Sequence, residues 1–99
     1  MAFVQFLWDE PNDHNGNYRH ICVDNDVSPD EYAEIYLDPK SVRAWSRSSG
    51  RPMAFGWTST GRHLAVVWED VSDDPPAIRP VTAHDTPPPG AKRKGRRRG

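Results

Sequence analysis

Apolar and polar residues alternate through most of the second half of this chain, whereas helical spacing is clear only once in the first half. Alternation, bounded by turn-rich segments, predicts strands over residues 41–47, 53–58, 63–69 and 77–83. In the second of these Met53, Phe55 and Trp57 share one side, and in the third Leu64, Val66 and Trp68 do, so both sets are assigned to a common core. Trp57 and Trp68 are therefore read as packing residues. The first two links are too short for crossovers, which makes an antiparallel meander the simplest connection. Pro80 falls inside the last strand and predicts an edge position or a bulge. Residues 3–8, Phe-Val-Gln-Phe-Leu-Trp, form a short apolar run too brief for a helix and read as a buried first strand.

The helix with the clearest ends begins at Ser28-Pro29-Asp30-Glu31, which supplies a capping hydroxyl, a proline at the first helical position and a glutamate that reaches back to the cap amide. Val27 and Tyr32 are placed to close a hydrophobic staple. Tyr32, Ile35 and Tyr36 share a face, and Asp38-Pro39 ends the helix. Residues 12–22 have weaker helical character because Asn15-Gly16-Asn17 interrupts them. The expected fold class is α+β: a four- to five-stranded, largely antiparallel sheet with one or two N-terminal helices on one face.

Ninety-nine residues suit one small domain. Residues 1–84 are assigned to it, and residues 85–99, rich in proline and then in base, to a disordered tail. Charge sharpens this division. Thirteen basic residues stand against fourteen acidic ones, but six of the basic ones occupy positions 92–98. Those positions thus carry +6 and the rest of the chain −7, so long-range attraction of RNA by the body is excluded and any RNA binding falls to a local arginine face or to the basic end. The short N-terminal apolar run lacks a basic lead, and no run of about twenty apolar residues is present, so a cytoplasmic protein is expected. Cys22 is alone and reads as a small half-buried residue. His20 and Cys22 point to different helix faces, and His14 and His20 miss metal-binding spacing, so neither a metal nor another cofactor is expected.

Several motifs recur in order along residues 3–84: Phe6-x-Trp8-Asp9, Val27-Ser28-x-x-Glu31 opening a helix that closes at Asp38-Pro39, Ser48-x-Gly50-Arg51, Gly61-Arg62-x-Leu64-x-Val66-Val67, and Ile78-x-x-x-Thr82-Ala83. In that order and spacing the chain resembles the BrnT family, toxins of type II toxin–antitoxin pairs taken to act as ribonucleases that stop translation. The resemblance implies a RelE-like fold, a metal-independent endoribonuclease activity on RNA, in some cases ribosome-associated, and a cognate antitoxin protein encoded by a neighbouring gene. Family members usually carry a Lys-His-Gly-like turn where Asp24-Asn25-Asp26 stands here. They also continue the last strand with Ala-Arg and a basic helix, where this chain has Ala83-His84 and then prolines.

A ribonuclease without metal needs a base for the 2′-hydroxyl, cations for the phosphorane and an acid for the leaving oxygen. Arg47, Arg51 and Arg62, set at hairpin turns, are the expected phosphate ligands, with Arg79 as a further contact, because guanidinium forks match phosphate oxygens. His63 and His84 are the expected proton-transfer groups, and His20 joins them if the first helix crosses the sheet. Trp45 shares a strand face with Arg43 and Arg47 and is the tryptophan expected to be exposed, where it would stack a base. Lys92, Arg93, Lys94, Arg96, Arg97 and Arg98 would hold RNA by counterion release. Arginines at hairpin ends are, however, more often solvated or paired with carboxylates, for which Asp70, Asp73 and Asp74 are the nearest in sequence. The second reading is a noncatalytic protein- or RNA-binding module on the same fold. The acidic body and Asp24-Asn25-Asp26 favour it, whereas the arginine-bearing hairpins favour the first reading, a toxin component that cuts RNA without metal and is held inactive by its antitoxin.

Overall fold

The computed structural model of the protein describes residues 3–88. Its centre is a five-stranded mixed sheet in the order β1-β5-β4-β3-β2, built from β1 (Gln5–Phe6), β2 (Val42–Trp45), β3 (Pro52–Trp57), β4 (His63–Asp73) and β5 (Pro76–Asp85). The last four form the expected antiparallel meander, and β1 joins β5 in parallel. Two tight turns make the meander possible. Gly50 and Gly61, at φ +71° and +92°, take the left-handed backbone that other residues adopt only under strain.

Helix α1 (Pro29–Leu37) starts with both hydrogen bonds of a capping box: the Ser28 hydroxyl accepts from the Glu31 amide, and the Glu31 carboxylate accepts from the Ser28 amide. Val27 and Tyr32 are fully buried, as the staple requires. α1 packs on β3 and β4, where Tyr32 and Ile35 meet Ala54, Leu64, Val66 and Trp68. The Tyr32 hydroxyl donates to the Val67 carbonyl.

Three expectations are corrected. The first strand spans two residues rather than six: Phe3 is exposed ahead of it, and after it Asn17 takes over the link to β5 by bonding the Leu7 and Pro80 carbonyls. The weaker helix is a short π-helical segment, Arg19–Asp24, preceded by turns. On β3 the covered side is Ala54, Gly56 and Thr58, whereas Trp57 is half exposed on the opposite side of the sheet. Small residues lie under α1 because a helix packed this closely leaves little room, and the Ile35 side chain approaches within 3.5 Å of where a Gly56 methyl would be.

Pro80 is buried in β5 beside a bulge: Val67 pairs with Thr82 and Trp68 with Pro80, leaving Val81 without a partner. Along the stretch of β5 that β1 does not reach, the Pro80 and Ala83 carbonyls accept hydrogen bonds from the side-chain amides of Asn17 and Asn25. The strand continues through Asp85, and the Thr86 amide still bonds the His63 carbonyl. The first residues assigned to the tail therefore belong to the sheet, and residues 89–99 lie outside the described part.

Candidate functional site

The arginines expected to gather at one phosphate are spread over both sides of the sheet. Arg62 lies beyond β3 on the helix-bearing side, and Arg51 precedes β3 on the open side. The six residues of β3 between them span about 20 Å. No single phosphate touches both.

The guanidinium groups of Arg62, Arg51 and Arg79 are also committed. Arg62 donates from Nη1 to Glu31 at 2.9 Å and to the Asp26 carbonyl at 2.7 Å, and from Nε and Nη2 to the two Asp85 carboxylate oxygens at 3.2 and 3.0 Å. These contacts, led by the Asp85 hydrogen bonds, push its pKa further up. Arg51 places Nε and Nη2 on one Glu69 oxygen at 3.0 and 2.8 Å. Arg79 grips Asp9 with two bonds and is likewise raised. The partners are thus Glu69, Glu31, Asp85 and Asp9, not the expected Asp70, Asp73 and Asp74.

Arg51, Glu69 and Arg79 line a cleft of about 300 Å³ on the open side, together with Asn17, His20 and Pro80. Two predicted arginines and His20 do meet there. Glu69 and Asp9 balance their charge, however, so the cleft presents paired ions rather than a cationic hole.

His63 and His84 both face the open side. His63 packs its ring 4.8 Å from that of Trp57, and its Nδ1 lies 3.1 Å from the Thr86 carbonyl. His84 is exposed, with Nδ1 3.1 Å from the Asp85 carbonyl. His20 reaches Thr82 through Nε2 at 2.8 Å. The proton-transfer candidates and Arg62 therefore occupy opposite faces. Alternation places these histidines on one side of their strands, but it does not reveal which side the helices cover.

At the other end of the sheet, β2 is an edge strand. Trp45 is 70% exposed and Val42 62%. Arg47 lies exposed in the following turn, with no carboxylate partner among the described residues. Arg43, not singled out as a ligand, lays its guanidinium 4.8 Å from the Tyr36 ring centre and 5.0 Å from that of Trp68, and donates to the Tyr36 carbonyl at 2.6 Å. Its placement beside Trp45 is readable from alternation. Its stacking depends on where α1 lands.

Among the described residues no three His, Cys, Asp or Glu side chains are grouped to hold a metal ion. Burial pushes the Cys22 thiol up, away from reactivity. No helix among those residues is long and apolar enough to cross a membrane. Lys92, Arg93, Lys94, Arg96, Arg97 and Arg98 lie outside the described part. Comparison with protein families, curated proteins and solved structures finds no match for this chain.

Proposed function

We propose that this chain is a noncatalytic binding module of the BrnT-like, RelE-like kind, working in the cytoplasm by holding a protein partner rather than by cutting RNA. The observation that carries this reading is the closure of Arg51, Arg62 and Arg79 into carboxylate pairs. Transition-state stabilisation requires donors already aimed at the developing charge. Here those donors are used in holding the fold: Arg62 ties α1 to β5, and Arg79 ties β5 to the segment after β1. A body at −7 further opposes approach of an RNA backbone. The partner this reading expects is the product of a neighbouring gene.

The test is to express the full chain with the product of the adjacent reading frame, purify by a tag on one component, and incubate the chain alone with total RNA in EDTA, with and without ribosomes. A stoichiometric complex and intact RNA are expected. Cleavage by the wild type that is lost in a His63→Ala/His84→Ala variant overturns the proposal in favour of a ribonuclease toxin.

A further inference from the structure

Between Pro39 and Trp68 the chain contains no aspartate or glutamate, yet Lys40, Arg43, Arg47, Arg51 and Arg62 all fall there. All fourteen acidic residues lie elsewhere in the body, accompanied only by Arg19 and Arg79. Arg51 and Arg62 are paired with carboxylates from outside that stretch. Lys40, Arg43 and Arg47 have no carboxylate partner among the described residues, and all three are exposed, Lys40 and Arg47 flanking β2 and Arg43 lying within it.

The same strand has a free edge. It ends the sheet order, so one row of its backbone groups has no partner strand among the described residues. The Ser46 amide donates to the Arg51 carbonyl at 2.7 Å, which fixes the phase of the β2–β3 ladder. Bonded and non-bonded pairs alternate in an antiparallel ladder. With Ala44 opposite Met53 and Val42 opposite Phe55, Ala44 and Val42 turn their backbone groups to β3. Arg43 and Trp45 turn theirs outward.

We propose that the free edge of β2 docks an acidic, extended segment of a partner protein, which adds to the sheet as a further strand; this deepens the binding-module reading and rests on it. Main-chain hydrogen bonds to Arg43 and Trp45 supply the alignment, and carboxylates beside Arg43, Arg47 and Lys40 supply the selectivity. Exposed Val42 and Trp45, on opposite faces of the strand, give the added segment an apolar contact on each side. A second copy of this chain fits poorly, because pairing β2 with itself sets the same cations against each other. RNA has no complementary row of amides and carbonyls to pair with the strand.

The experiment measures binding of a fluorescent peptide alternating glutamate with valine to the full chain, beside the same peptide with lysine for glutamate and a single-stranded RNA of equal charge. The glutamate peptide is expected to bind best, and Arg47→Glu to weaken it about tenfold. Trp45→Pro, which removes an outward amide, is expected to weaken it by at least as much, whereas Trp45→Val, which keeps that amide, retains most of the binding. Arg47 makes no hydrogen bond or ion pair among the described residues, so its variant stays informative should Trp45→Pro not fold. Equal binding by Trp45→Pro and Trp45→Val, both folded by circular dichroism, overturns strand addition. Tighter binding of the RNA, or a chain that runs as a dimer and takes up no peptide, overturns the acidic-peptide assignment. If the glutamate peptide fails to bind while RNA stays uncut, the docking site falls and the binding-module reading stands.

Discussion

Arg79 holds Asp9, seventy positions away in sequence, through parallel hydrogen bonds of 3.0 and 2.8 Å. The pair locks the segment after β1 onto β5, where β1 itself pairs over only two residues. The Asp9 carboxyl is held below its ordinary value of 3.8, first by Arg79 and then by the Asn17 amide. A carboxylate lowered in the folded state stabilises it above the unfolded pKa and loses that contribution as pH falls through the folded one. Thermal melts should therefore show wild-type stability falling as pH drops below about 4, with Asp9→Asn less stable near neutrality and falling less steeply in acid. Parallel pH profiles for the two proteins would remove Asp9 from this role.

Asn17 is nearly buried and makes four hydrogen bonds: its side chain accepts from the Asp9 amide and donates to the Leu7 and Pro80 carbonyls, and its own amide donates to Asp9. Asn17→Ala leaves three backbone groups without their partner and is expected to cost about 2–4 kcal/mol in urea unfolding. A loss under about 0.5 kcal/mol would mean that water replaces the amide.

The Ser41 hydroxyl is buried without a hydrogen-bond partner among the described residues, and a methyl on Gly56 would come within 2.3 Å of it. Ser41→Ala is expected to be neutral or stabilising by about 1 kcal/mol, since it removes an unsatisfied polar atom. Gly56→Ala should cost about 1–3 kcal/mol, and less in the Ser41→Ala background. Strict additivity in the double mutant would show that the clash lies elsewhere.

Burial raises the pKa of the Tyr32 phenol well above its ordinary value, keeping it a hydrogen-bond donor at all accessible pH. Tyr32→Phe removes a buried hydrogen bond to the Val67 carbonyl beside the bulge and is expected to cost about 1–2 kcal/mol without altering the fold. Chemical denaturation with matched m-values checks this, and an unchanged midpoint refutes it.

Arg62→Ala should act on stability rather than on any RNA activity. It releases Glu31, Asp85 and the Asp26 carbonyl together, for a loss of about 1–2 kcal/mol. If the variant melts like wild type, the three-way junction contributes nothing measurable.

Local chemistry made much of the fold legible. The capping box at Ser28 and Glu31 lies within four residues, and the turns at Gly50 and Gly61 require only backbone freedom there, so α1 and the meander follow from short stretches of chain. The bulge at Pro80 follows from a missing amide. Alternation alone could not reveal which side of β3 the helix covers, because Met53, Phe55 and Trp57 look more like a core than Ala54 and Gly56 do. Closeness of approach decided against bulk. The candidate site was less legible still. Arg51, Arg62 and Arg79 find carboxylates 18, 23 and 31, and 70 positions away, contacts set by strand register rather than by neighbouring residues. Trp45 was different, since its exposure follows from sharing a strand face with Arg43 and Arg47 at the end of the sheet.

Asn17 and Asn25, by taking up the Pro80 and Ala83 carbonyls, do more than finish β5. Among the described residues they make the two margins of the sheet unequal: on one, the Pro80 and Ala83 carbonyls are taken up beyond the two-residue β1, while the other is open at β2. A sheet that accepts a neighbour on one margin alone cannot hand the pairing on. Association through β2 therefore terminates after one step, which keeps a molecule with an uncovered strand out of fibrous growth.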